Sequence, residues 1–416
     1  MNKSVTVVIS VLVVIVVVFG ALYGLGLIHM NSPAASTNST GAQNVVGASI
    51  VSSALGSTWK QDYGATGTVS NLSTFMSITS GRSLGGIPAV QYSPAVQDNA
   101  IVSAVNTPPS NSTAFSISGF QLSVFSPNGS GFATVGYVQY KSTANASAVY
   151  YYIQNNANNT SSSTPPHVTV GKTSSSNPYI YTWNATSSAT LNPHKQNMSI
   201  LLGLYDAYLV VIFYLTPINM TASHFVALYS SEINVLSSAT TSTATSTFVS
   251  DAKLSSDIGN TWATSLSVSI NVTNATSIIN EFSGNMSSTN SHERMLLNQT
   301  AGNLTEFALQ SYGAGAKNVT LISYAKFKSS TAPTLIFDGL STSVNLTVTS
   351  YNGSSYFYYN YSYNGSTGST FAMHSYNVSM LVAMYNHYVI FMYYIGSSAV
   401  TQTHFKLLLG DELKLL

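Results

Sequence analysis

Gly81-Arg82-Ser83-Leu84-Gly85 fits the G-x-S-x-G pattern of a nucleophile elbow, a strained turn that lifts a serine hydroxyl above a sheet. The elbow needs a strand before it and a helix after it. Here Gly86-Ile87-Pro88 follows, so the segment reads as a glycine-rich turn. His292-Glu293 begins like a zinc-protease helix, but Leu296 stands where the second histidine is required. Gly313-Ala314-Gly315 lacks the third glycine of a dinucleotide loop. Neither Asp-Thr-Gly nor Asp-Ser-Gly occurs, and the absence of cysteine removes disulfides, thiolate metal sites and a thiol nucleophile. No cofactor, metal site or catalytic residue is expected, and an enzyme ranks third, behind a structural role and a binding role.

Ionisable residues that recur in both halves of the chain are better candidates. They are Lys141 and Lys328, His194 and His374, His224 and His404, and Glu232 and Glu412. Two histidines and a carboxylate are the right types for a metal or for acid–base work. Their spacing spreads them over a strand approach, a helix start and a point two turns into that helix. Structural roles are therefore expected: helix-start hydrogen bonds, a turn and an exposed helix face. Tyr205, Tyr208, Tyr385 and Tyr388 flank two hairpin turns, and with Tyr356 to Tyr363 they could offer an aromatic face to a sugar. Packing within the sheet is the alternative.

The recurrence comes from an internal repeat. Leu55-Gly56-Ser57-Thr58-Trp59 matches Ile258-Gly259-Asn260-Thr261-Trp262, and Tyr137 to Ser142 matches Tyr324 to Ser329. His194 to Leu236 aligns with His374 to Leu416 over 43 residues without a gap, 13 of them identical. The order of the matched blocks never changes, which points to duplication. The expected divisions are 1–30, an N-terminal anchor or signal; 31–47, a Ser/Asn-rich tether; 48–237, repeat one; 238–247, a Ser/Thr linker; and 248–416, repeat two. Within a repeat, hairpins centred on Asp206-Ala207 and Asn386-His387, a strand over Phe132 to Tyr140, and helices over Ala144 to Gln154 and after Thr221 are expected. A short helix over Leu72 to Thr79 joins them. The fold class that follows is α+β: a transmembrane helix, then two tandem homologous domains, each an antiparallel sheet with packed helices. The arrangement is similar to the PsbP-like one of a curved sheet flanked by helices.

Val5 to Ile28 is a run of 24 uncharged residues. As a helix it would be about 36 Å long, enough for a hydrocarbon core of roughly 30 Å. Lys3 and the terminal amine favour an N-terminus in the cytoplasm and a body outside. Ala34-Ala35-Ser36 offers an alternative as a signal cleavage site, with a mature start near Thr37. Processing before the apolar run, at a Lys3-Ser4 junction resembling that of archaeal pilin-like proteins, is a third route. Beyond the run lie 21 Asn-x-Ser/Thr sequons where composition predicts about nine. Glycosylation candidates include Asn71, Asn111, Asn128, Asn145, Asn184, Asn197, Asn219, Asn271, Asn285, Asn318, Asn345, Asn364 and Asn377.

Charged residues make up 6% of the chain, 13 basic against 12 acidic. A net charge of +1 grips no phosphate backbone, so nucleic acid is excluded as a partner. A surface so poor in charge needs another source of hydration, and glycans supply one. The apolar run, the sequons, the Ser/Thr/Asn/Tyr-rich body and the scarcity of charge resemble cell-surface glycoproteins of acidophilic archaea. That resemblance implies a membrane-anchored extracellular glycoprotein with a structural or interaction role in the cell envelope. Its partners would be the membrane and envelope proteins or glycans. The alternative is an extracytoplasmic module that binds a small ligand or sugar. The same composition predicts stability almost unchanged from pH 7 to 3, with a small step near pH 6 from His224 and His404 at helix starts.

Overall fold

The computed structural model describes residues 45–70, 117–127, 132–159, 168–169, 178–185, 196–216, 221–238, 248–273, 301–315, 318–343, 346–364, 375–397 and 399–416. The first half runs Ala48–Leu55 (α1), Trp59–Val69 (β1), Ile117–Pro127 (β2), Phe132–Tyr140 (β3), Thr143–Asn159 (α2), Val168–Thr169 (β4), Tyr179–Ala185 (β5), Gln196–Tyr205 (β6), Tyr208–Thr216 (β7) and Ala222–Ser238 (α3). The second half repeats that order: Asp251–Ile258 (α4), Ala263–Val272 (β8), Leu304–Ala314 (β9), Asn318–Phe327 (β10), Thr331–Ser343 (α5), Thr349–Tyr351 (β11), Ser354–Asn364 (β12), Ser375–Tyr385 (β13), Tyr388–Gly396 (β14) and Gln402–Glu412 (α6).

All 14 strands form one antiparallel sheet, in the order β11-β12-β13-β14-β10-β9-β8-β1-β2-β3-β7-β6-β5-β4. Read outward from its centre, each half has the same seven-strand order. The join is β1 against β8, with Thr66 opposite Ser269. These two residues correspond when Trp59 is set on Trp262, so the seam is self-complementary, like a two-fold dimer interface inside one chain. Each seam strand carries an irregularity at the matching place, between Gln61 and Tyr63 and between Thr264 and Leu266. The skipped residues, Asp62 and Ser265, are both buried.

This overturns the expectation of an α+β pair of domains, each with its own sheet, and with it the PsbP-like comparison. Left to itself, each half would expose a 10- or 11-residue strand as an unpaired edge. Pairing β1 with β8 removes both edges. The outer edges that remain, β4 and β11, are only two and three residues long. The expected membrane-crossing helix falls on residues that the structure does not describe. Among the described residues no helix is long and apolar enough to cross a membrane, and residues 5–28 lie outside them. So does the helix expected at Leu72 to Thr79.

Core packing follows strand alternation. On one face, a single core runs through both halves, from Phe120 and Leu122 through Ala65 and Ile270 to Phe307 and Leu309, with Tyr150 of α2 and Phe337 of α5 packed into it. On the other face there are two separate cores. One lies under α1 and α3, around Trp59, Tyr214 and Phe225; the other lies under α4 and α6, around Trp262, Tyr394 and Phe405. The ring pairs repeat closely, Trp59 to Tyr214 at 6.0 Å and Trp262 to Tyr394 at 6.1 Å. β7 and β14 sit under helices and among other strands, so they read as near-continuous apolar runs. Their hairpin turns place Asp206 and Asn386 at φ 50° and 52°, which Asp and Asn tolerate better than other side chains.

Gly67 tests the seam. A Cβ there would lie 2.5 Å from the Phe120 ring and 3.1 Å from the Ser267 carbonyl across the join. Gly67→Val is expected to destabilise by about 1–3 kcal/mol through overpacking. In calorimetry the wild type should melt in one transition, and the variant should shift that whole transition down. A second transition left in place by Gly67→Val would show that the halves unfold independently.

Candidate functional site

Glu232 and Glu412 are the ionisable residues that the structure places most tellingly. Sequence spacing put them on an exposed helix face; they are instead 0% and 1% exposed. On α3 the buried set is Phe225, Leu228, Tyr229, Glu232 and Leu236, so the glutamate occupies a position of the apolar stripe. Its Oε2 accepts a 2.9 Å hydrogen bond from the backbone N–H of Val46, just before α1. Glu412 of α6 does the same with Oε1 and the N–H of Val249, also 2.9 Å, just before α4. Each carboxyl thus ties the last helix of its half to the segment that begins it.

Burial pushes the Glu232 carboxyl up to about 7, while the bond from Val46 acts in the opposite sense. Glu412 is pushed up to about 8, again by burial first, against the Val249 bond and with Asp411 adding to the rise. Below neutrality both are neutral acids, which is how a carboxyl survives in an apolar core. Oε1 of Glu232 has no hydrogen-bond partner, so ionisation there would leave charge with one contact only.

The two ends have diverged around this shared core. In the second half the Tyr312 hydroxyl donates to the Val249 carbonyl at 2.7 Å, and burial raises its own pKa. Phe125 fills the corresponding place in the first half. Lys253 bridges Asp257 at 2.9 Å and Asp411 at 2.7 Å, and Lys414 reaches Asp411 at 2.7 Å, linking α4 to α6. Ile50 and Ser231 stand where Lys253 and Asp411 would be in the first half.

The remaining candidates do not converge. His224 accepts at or donates from Nδ1 to the Thr221 hydroxyl at 3.0 Å, and Thr401 accepts a bond from the His404 N–H: both are helix-start contacts. His224 and Glu232 lie eight residues apart, about 12 Å along the helix axis. Lys141 and Lys328 are exposed beyond the ends of β3 and β10. His194 and His374 fall outside the described residues, as do Ser83 and His292. Among the described residues no group of three His, Asp or Glu could hold a metal ion. Gly313 to Gly315 ends β9, with Gly315 at φ 61°.

The tyrosines divide between packing roles. Tyr208 packs edge-on to Tyr137 at 5.3 Å and Tyr388 to Tyr324 at 5.7 Å. Tyr356 is buried, the Tyr358 hydroxyl donates to the Val400 carbonyl, and Tyr359 is exposed on the opposite side of the strand. Tyr356 and Tyr358 thus lie on one face of the strand and Tyr359 on the other.

Both raised carboxyls give pH dependence a definite sign. Their folded pKa exceeds the unfolded value of about 4.3, so their contribution is fully present below that value and is lost as pH rises through 7 and 8. Each should withdraw on the order of 3 kcal/mol by pH 9. The Asp411 carboxyl is raised by burial, but hydrogen bonds from Lys253 and Lys414 outweigh that and hold it below its ordinary range. It works the opposite way below pH 4, yet a partly exposed pair contributes at most about 1 kcal/mol. Stability should therefore rise from pH 8 to pH 4, rather than stay flat with a histidine step. Glu232→Gln with Glu412→Gln keeps the acceptor and removes the proton, so urea midpoints should be unchanged at pH 4 and higher than wild type at pH 8. An unchanged midpoint at pH 8 would mean that the carboxyls are not neutral in the fold.

No family model and no curated protein matches this chain. Among solved structures, crystal form I of TP0453 is similar at 9% identity, over 89% of this chain and 99% of that chain, with a TM-score of 0.29, a likeness that carries no argument about fold or activity.

Proposed function

We propose that this protein is an extracytoplasmic glycoprotein of the cell envelope, with a structural or interaction role in acidic surroundings, held at the membrane by its apolar run at residues 5–28. The observation that carries the reading is the matched pair Glu232 and Glu412. Both halves keep a carboxyl in the core, hydrogen-bonded to a backbone N–H and neutral below pH 7. A protein kept at or above neutral pH would carry these groups as a liability; in acid they behave as uncharged polar ties. The scarcity of charge supports the same reading. With 12 acidic residues in 416, few native carboxylate pairs can be lost on acidification. The 21 sequons supply hydration that charge does not.

Fractionation of cells that express the full chain tests placement. The protein is expected in membranes after carbonate washing, with its body cut by protease added outside intact cells. Recovery of the intact, protease-protected chain in the cytosolic fraction would overturn the proposal. Release of a body starting near Thr37 would keep the outside placement and remove the membrane attachment.

A further inference from the structure

A sequon requires its third residue as well as its asparagine, so the transferase must reach both the amide and the hydroxyl. On a strand these two residues share a face, two positions apart. Of the sequons whose two side chains are described, Asn271/Thr273, Asn318/Thr320, Asn360/Ser362 and Asn377/Ser379 run along strands. Alternation puts all four asparagines on the face that carries α1, α3, α4 and α6. Asn318 is in step with buried Ile322 and Tyr324, Asn360 with Tyr356, Asn377 with Leu381 and Ala383, and Asn271 is out of step with Val268 and Ile270 of the other face.

Burial then separates them. The hydroxyls of Thr320 and Ser379 are 0% exposed and have no hydrogen-bond partner. Their asparagines are half-buried around one residue: Asn318 Oδ1 accepts from the Ser397 N–H, and Asn377 Nδ2 donates to the Ser397 carbonyl, each at 3.1 Å. The nitrogen that would receive a sugar at Asn377 is thus already engaged. Asn352 is exposed, but the hydroxyl of Ser354 is buried and donates to the Tyr351 carbonyl. Asn145/Ser147 and Asn303/Thr305 are half-buried at both positions. Asn271 with Thr273 and Asn360 with Ser362 are exposed at both positions; Asn271 stands opposite Gly64 across the seam and opposite Glu306 on β9, and the exposed Ser362 hydroxyl donates to Asn377 Oδ1 at 2.8 Å.

Resting on the glycoprotein reading above, we propose that Asn271 and Asn360 are the occupied glycosylation sites among the sequons whose two side chains are described, and that Asn318, Asn352 and Asn377 stay bare. In the transfer, a new bond joins Nδ2 to C1 of the sugar. The bond from C1 to the phosphate of an activated glycosyl-phosphate donor breaks, the phosphate keeps the electron pair, and one amide proton passes to solvent. A glycan added before folding meets the same filter, because Asn318 and Asn377 must still close around Ser397.

Site-resolved glycopeptide mass spectrometry on the full chain from its native membranes tests this, alongside intact masses of Thr273→Val, Ser362→Ala and Thr320→Val. Occupancy at Asn271 and Asn360 is expected, with the first two variants each lighter by one glycan and Thr320→Val losing none. Occupied Asn318 or Asn377, or glycans elsewhere with Asn271 and Asn360 bare, would overturn this assignment and leave the glycoprotein reading standing. A chain with no glycan at any sequon would overturn both.

Discussion

Everything in this fold hangs on two strands that cannot be left alone. β1 and β8 each have one neighbour within their own half, and each would otherwise present a full row of unpaired N–H and C=O groups. Their pairing is self-complementary about Thr66 and Ser269. A duplicated chain therefore solves its edge problem with its own second copy, much as a two-fold dimer would. Once that seam is fixed, the core under α2 and α5 becomes continuous across both halves, while the cores under the paired terminal helices stay separate. Cooperativity is thus carried on one face and local closure on the other.

Local closure is where Glu232 and Glu412 act. The N–H of Val46 and of Val249 precedes a helix of eight residues and points into the core, where water is excluded. An unmade bond there would cost about 1–3 kcal/mol. A neutral carboxyl from the last helix removes that cost without bringing a charge inside. The duplicated ends then diverged at the surface, where an ionic bridge through Lys253 arose on one side and apolar Ile50 on the other. The buried tie is common to both; the exposed pairs are not. That ranking matches the small worth of surface ion pairs.

Parts of this were legible in the sequence. The β6–β7 and β13–β14 hairpins stood out because β-branched runs flank a two-residue turn holding Asp206 or Asn386. Thr221 was visible as a helix start, and the structure shows Thr401 in the matching place of the second half. The seam was harder. β1 contains Gly64, Gly67, Lys60 and Asp62, a poor strand composition, because its register demands small residues beneath Phe120. β8 did carry a signal: Leu266, Val268, Ile270 and Val272 alternate without a break against Ser267, Ser269 and Asn271. What no alternation encodes is which foreign edge a strand will meet, and that choice made one sheet from two repeats. The buried glutamates were legible in part, since Glu232 sits in step with Phe225, Leu228 and Leu236. Charge alone argued for the surface.

The seam also shapes the outside of the molecule. Between the two helix pairs, the central strands turn Thr66, Thr68, Ser267, Ser269 and Asn271 toward the same face, half-buried or exposed. Small hydroxyl side chains leave that strip wet without adding charge. With the inner strands all paired and the outer edges reduced to β4 and β11, little backbone is left to template a neighbouring chain. Solubility then has to come from uncharged polar groups, because 25 charged residues in 416 give little mutual repulsion between molecules. Ionised carboxylates would lose that function on acidification, whereas hydroxyls and amides keep it at any pH. The same physical choice, polar but not charged, governs the surface strip, the sequons and the two carboxyls in the core.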